Sequence, residues 1–96
     1  MNSETYRARI ERKLTQAFSP AVLHIKDDSR LHAGHAGHNP SGETHFSIRI
    51  VSPTFTGMSA VARQREIYRV LADELRERVH ALSLQALSPE ENASTG

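Results

Sequence analysis

The stretch T-H-F-S-I-R-I-V at residues 44–51 most narrows what this chain can fold into. Phe46, Ile48 and Ile50 alternate with His45, Ser47 and Arg49, which is the two-residue period of a strand with one buried face. Ser52-Pro53 ends it, because proline cannot donate to a strand ladder. A strand of this kind needs a second layer over its apolar face, and the flanking sequence supplies helices. Tyr6, Ile10, Leu14 and Phe18 recur at every fourth position within residues 4–18, separated by Arg7, Arg9, Glu11, Arg12 and Lys13. That is one apolar stripe on a helix, with Ser3 as N-cap and Ser19-Pro20 as its stop. Residues 60–79 read as one long helix. Its expected buried stripe is Val61, Ile67, Tyr68, Leu71, Leu75 and Val79, and its outer face carries Arg63, Arg65, Glu66, Asp73, Glu74, Arg76, Glu77 and Arg78. In the turn T-F-T-G-M-S before it, Gly57 can supply a positive φ and Ser59 a cap.

Two shorter strands complete the pattern. Residues 21–26 place Leu23 and Ile25 on one face and Val22, His24 and Lys26 on the other, so His24 reads as a solvated strand residue. Residues 80–87 place His80, Leu82, Leu84 and Ala86 on one face. The polar tail from Ser88 reads as frayed. The order predicts an α+β fold: an αββαβ two-layer domain with a three-stranded mixed sheet. Ninety-six residues make one domain, with a core over about residues 5–88 and a tail at 89–96. The first two strands pair antiparallel. A twenty-residue helix spans ~30 Å, about the length of a strand, and so returns the chain to the end where strand two began. Strand three then runs parallel to strand two through a right-handed crossover. His80 thereby arrives at the same end of the sheet as the connection between strands one and two.

That connection, D-D-S-R-L-H-A-G-H-A-G-H-N-P-S-G-E at residues 27–43, has no apolar period and carries His32, His35 and His38. Neutral imidazole is a good ligand for zinc, copper and iron, and a loop this long is usually functional or disordered. His80 reads either as a strand-start residue bonded to a carbonyl or as a partner to these loop histidines. Asp27-Asp28 suits a turn better than paired catalytic acids. The chain has no cysteine, which excludes disulfides, thiol catalysis and any cluster held by its own thiolates. No nucleophile elbow, phosphate-binding glycine loop or HExxH is present, so the expectation is a non-enzymatic protein. Twelve basic and eleven acidic residues give a net charge of only +1, short of a dedicated nucleic-acid binder. Arg63, Arg65 and Arg69 could still contact phosphate from the long helix. No apolar run approaches the ~20 residues of a membrane span, and MNSETYRARIERKL carries charges where a signal peptide needs apolar residues. A cytoplasmic protein without membrane contact is the expectation.

The stretches D-D-S-R-L-H (27–32), G-E-T-H-F (42–46), I-V-S-P-T-F-T-G-M-S (50–59), R-Q-R-E-I-Y-R-V-L (63–71) and V-H-A-L-S-L-Q-A (79–86) resemble the BolA family, in order and over roughly residues 5–90. The resemblance implies a fold similar to class II KH domains, with the turn and long helix forming a helix-turn-helix-like unit. It also implies a monothiol glutaredoxin partner and a [2Fe-2S] cluster shared with that partner and glutathione, none of it bound by the isolated chain. The implied ligands are His80 and a loop histidine. Counting from D-x-S nominates His32, as in a His-loop subgroup, while counting back from G-E-T-H-F nominates His38, and His35 lies between them. Some bacterial relatives are transcriptional regulators of stress and morphology genes, which makes DNA the alternative partner and Arg63, Arg65 and Arg69 its contacts. Alone, the chain is expected to be a monomer or a weak homodimer.

Overall fold

The computed structural model describes residues 4–28 and 44–95. Tyr6–Phe18 forms helix α1, and Ile10, Leu14 and Phe18 are buried as their spacing requires. Its N-cap is Thr5, whose side-chain oxygen accepts from the Ala8 N–H. Ser3, the cap suggested by the sequence, lies outside the described residues. The helix stops at Ser19 in the left-handed region (φ 44°), and Pro20 leads the chain away. Strand β1 (Val22–Asp27) pairs antiparallel with β2 (His45–Val51), and β3 (Ala81–Leu87) runs parallel to β2, giving the order β1-β2-β3. The register aligns Ile25, Ile48 and Leu84 across the sheet, and Leu23, Ile50 and Ala86 beside them. This face packs under the helices with Phe55, Ile67, Leu71 and Val79 in a single core. Phe18 and Phe55 meet with ring centroids 5.0 Å apart, and the buried Ser52 hydroxyl donates to the Phe18 carbonyl over 2.5 Å, tying α1 to the end of β2. The α+β architecture and the mixed sheet are as the sequence predicts.

The turn after β2 also follows expectation. Gly57 has φ +83°, and Ser59 Oγ accepts from the Ala62 N–H at the start of helix α2 (Ala60–Val70). The expected single helix is, however, two. At Leu71 (φ −101°, ψ 20°) the chain bends into helix α3 (Ala72–Glu77), although the Leu71 N–H still reaches the Ile67 carbonyl and the Leu75 N–H the Leu71 carbonyl. The inward stripe differs too. Arg63, Ile67, Leu71 and Glu74 are buried, while Val61 is 56% and Tyr68 37% exposed. A hydropathy stripe cannot find these two charged residues, because each is buried together with the groups that neutralise it.

Glu74 is the first such case. Its side chain is 1% exposed and receives Arg9 at 2.8 Å and Lys13 at 2.9 Å, both from α1. Arg63 is the second. Its guanidinium donates to the Met58 and Ala86 carbonyls at 3.0 and 2.9 Å and pairs with Glu91 at 2.5 Å. Glu91 belongs to helix α4 (Pro89–Thr95), which replaces the frayed tail expected from polarity alone. The sequence signal is S-P-E-E. Ser88 Oγ accepts from the Glu91 N–H while the Glu91 carboxylate accepts from the Ser88 N–H, a reciprocal capping box with proline at the first helical position. Among the described residues no helix is long and apolar enough to cross a membrane.

Three stability predictions follow from these contacts. Ser59→Ala leaves one helix N–H without its side-chain acceptor and should cost about 0.5–2 kcal/mol in urea unfolding. Glu74→Ala strands two cations that are still partly solvated, so a loss of about 3 kcal/mol is expected, the low end for breaking a buried pair. An unfolding midpoint equal to wild type would remove either contact from this account. Arg63 first, and the Ser88 N–H second, hold the Glu91 carboxyl below its ordinary 4.5, at about 2. A carboxyl with a lowered folded pKa stabilises the fold above its ordinary value, and that contribution fades as pH falls from about 4.5 toward 2. Hydrogen exchange in α4 should therefore accelerate over that window in wild type, and the acid-induced acceleration should be absent in Glu91→Gln.

Candidate functional site

The parallel pairing of β2 with β3 places their first residues side by side, with His45 opposite Ala81. Thr44, which is buried, organises the junction. Its carbonyl accepts from the His80 N–H at 2.7 Å and from the Ala81 N–H at 3.3 Å, so His80 is fixed by backbone immediately before β3. The preceding residue, Val79, is 1% exposed and anchors this turn in the core. His80 itself is exposed. Its ring lies 6.2 Å, centroid to centroid, from that of His45, at an interplanar angle of 58°. Thr44 Oγ1 lies 2.9 Å from His45 Nδ1, a hydrogen bond that orients the ring.

The β1–β2 ladder closes at the same place, where the Asp28 N–H donates to the His45 carbonyl at 2.7 Å. Asp28 and Thr44, the described residues that flank 29–43, therefore lie at the same end of the sheet as His45 and His80. His32, His35 and His38 lie outside the described residues. Among the described residues there is no cluster of three or more metal-binding side chains. What the structure adds is His45, which the sequence alone presents as one more polar strand residue. Aligning Phe46 with Leu82 as neighbouring core positions of two parallel strands would have brought His45 to Ala81 and Thr44 to His80. Two imidazoles at a strand junction offer nitrogen donors suited to iron, zinc or copper. With no cysteine in the chain, any thiolate at such a centre must come from elsewhere.

The arginines proposed for phosphate contact do not form one free surface. Arg63 is committed to the α4 clasp described above. Arg69 is exposed but pairs with Glu66 at 2.8 Å, and that hydrogen bond lowers the Glu66 carboxyl. Arg65 is exposed on α2.

Comparison with known proteins identifies the family. The chain is 48% identical over 87 residues to the SufE-like protein 1, chloroplastic/mitochondrial, of Arabidopsis thaliana, covering 86% of this chain and 24% of that protein. It is 44% identical over 85 residues to the DNA-binding transcriptional regulator BolA of Escherichia coli (strain K12), covering 88% of this chain and 77% of that one. Among solved structures, the BolA domain of SufE1 from Arabidopsis thaliana superposes with a TM-score of 0.82 at 44% identity, over 94% of this chain and 99% of that chain. The BolA family of BolA-like proteins matches residues 14–91, from the last turns of α1 through α2, α3 and all three strands, and the chain belongs to that family.

Proposed function

We propose that this chain is a non-catalytic partner of a monothiol glutaredoxin and supplies nitrogen ligands to one iron of a [2Fe-2S] cluster shared between them. The supporting observation is the junction at which His80, His45 and both ends of the loop bearing His32, His35 and His38 meet. The donor set fits the group. The chain has imidazoles and no thiolate, so it can complete one iron while the partner's cysteine and glutathione supply sulfur. His80 would be the fixed ligand, with His32 as the loop ligand, His35 and His38 as alternatives, and His45 a further imidazole within reach. Nitrogen ligation raises the cluster's reduction potential relative to all-thiolate ligation. Ligation also requires neutral imidazole, so the shared centre should be released on acidification, which suits transfer or sensing better than storage.

The name of the Escherichia coli relative favours a second reading, a nucleic-acid-binding regulator acting through α2. On this chain Arg65 is its best remaining contact, since Arg63 is held inside.

The two readings separate in one set of measurements. Reconstitution with a monothiol glutaredoxin, glutathione and iron should give a visible absorption and circular dichroism spectrum distinct from that of the glutaredoxin homodimer. His80→Ala should abolish that signature with an unchanged far-ultraviolet spectrum, because an exposed position just outside a strand tolerates alanine. His32→Ala should weaken or shift the signature, His35→Ala and His38→Ala should barely change it, and the triple variant should match His80→Ala. His45→Ala reports whether the further imidazole is used. A normal heterodimer spectrum in His80→Ala would overturn the cluster reading. Specific retardation of promoter DNA at about 150 mM salt without any partner, lost in Arg65→Ala, would favour the regulator.

A further inference from the structure

Among the described residues, α1, α2 and α3 pack on one face of the sheet. On the other, the register sets His24, Arg49 and Gln85 in one row across the three strands, and Lys26, Ser47 and Ser83 in the next. These residues line a concavity of about 480 Å³ over the strand backbones. Pockets for small organic ligands run from about 300 to 1,000 Å³, so this one exceeds the needs of a bare inorganic anion.

Its charge is uneven. Arg9, Arg12, Arg63, Arg69 and Arg76 each pair with a carboxylate. Arg49, half-buried on the central strand, instead donates to two neutral amide oxygens, Gln85 Oε1 at 3.4 Å and Asn92 Oδ1 of α4. No carboxylate pairs with it among the described residues. The nearby acid, Asp28, lies at the other end of the concavity, where it accepts from Ser47 Oγ and sits 3.9 Å from Lys26. A planar guanidinium held by neutral partners on a rigid strand is set to take an anion in the bidentate manner of phosphate. Arg7 of α1 adds a second guanidinium to the lining, and the remaining walls are hydroxyl, amide, imidazole and ammonium groups that suit a polyhydroxylated body. The face presents no Phe, Tyr or Trp on which a nucleobase could stack.

We propose that this open sheet face binds a small sugar-phosphate-like molecule, with its phosphate on Arg49 and its hydroxyls toward His24, Ser83 and Gln85. Arg49 lies four residues along β2 from His45, about 13 Å at strand rise, so this site and the histidine junction are separate. Its test needs neither a glutaredoxin nor iron.

The experiment is amide NMR and calorimetry on the full chain at about 150 mM salt, with glucose 6-phosphate, inorganic phosphate, glucose and a single-stranded oligonucleotide as probes. Glucose 6-phosphate should shift amides centred on His24, Arg49 and Gln85, inorganic phosphate should compete more weakly, and glucose should do neither. Arg49→Gln should weaken binding ~10-fold or more, and Arg76→Gln on α3 should leave it unchanged. If Arg49→Gln alters the fold by circular dichroism, the exposed substitutions Ser83→Ala and Lys26→Gln, each expected to weaken binding, carry the test. Shifts absent from this face, equal binding by Arg49→Gln, or glucose binding as well as its phosphate would each overturn the proposal. So would oligonucleotide binding here in preference to the sugar phosphate, which would assign the face to nucleic acid.

Discussion

The buried carboxylate of Glu74 is the contact on which the end of the domain that carries His45 and His80 depends. Its side chain draws Arg9 and Lys13 of α1 onto α3, and its backbone carbonyl accepts from Arg78 and Val79, ending the helix. The chain then drops Val79 into the core and presents His80 to the Thr44 carbonyl. One residue thus sets both how the first helix lies and where the third strand begins. A buried ion pair is poor evidence for net stability, since its desolvation cost offsets most of its attraction. Its value here is positional. An apolar residue of similar size could hold the core, but it would not fix the angle of α1 through two directed cations.

Arg63 has the matching role at the opposite end of the sheet. It ties the start of α2 to the Ala86 carbonyl and, through Glu91, to α4. Of two charged residues on one helical stripe, Glu74 therefore fastens the helices to one another and Arg63 fastens them to the sheet and α4. These are the positions where sequence reading failed, for a common reason. Hydropathy ranks Val61 and Tyr68 above Arg63 and Glu74, and only knowledge of the neutralising partners, far away in sequence, reverses that order. Features that depend on neighbours a few residues apart were legible: the strand alternation, the Gly57 turn and the Ser59 cap. The α4 capping box was equally local, but the polarity of S-P-E-E-N-A-S-T-G concealed it.

The histidine junction falls between these cases. That His80 precedes its strand at the end of the sheet where β1 stops and β2 begins followed from connection lengths alone, whereas His45 required the register. A strand residue's partner is fixed by alignment of apolar faces across two strands, and a one-residue slip would have turned His45 to the other face. Phe46 opposite Leu82 and Ile48 opposite Leu84 prevent that slip. The core therefore specifies which polar side chains meet at the sheet's end, although none of them contributes to the core.

The polarity of the helical layer is consistent with this division of labour. In open α/β sheets, ligands commonly sit at the carboxyl ends of parallel strands, where helix N-termini favour phosphate. Here the imidazoles stand at the amino ends of β2 and β3, just beyond the C-terminus of α3. That end of a helix carries partial negative charge and favours cations. Under the proposed cluster reading, that partial charge favours the metal that the imidazoles would hold. The positive end, at Ser59 and α2, lies beside the Arg63 clasp, and Arg49, which meets no carboxylate among the described residues, lies on the other face of the sheet. The histidine junction at the end of the sheet and Arg49 on its outer face thus stand on separate surfaces, so that a ligand proposed for one leaves the other accessible.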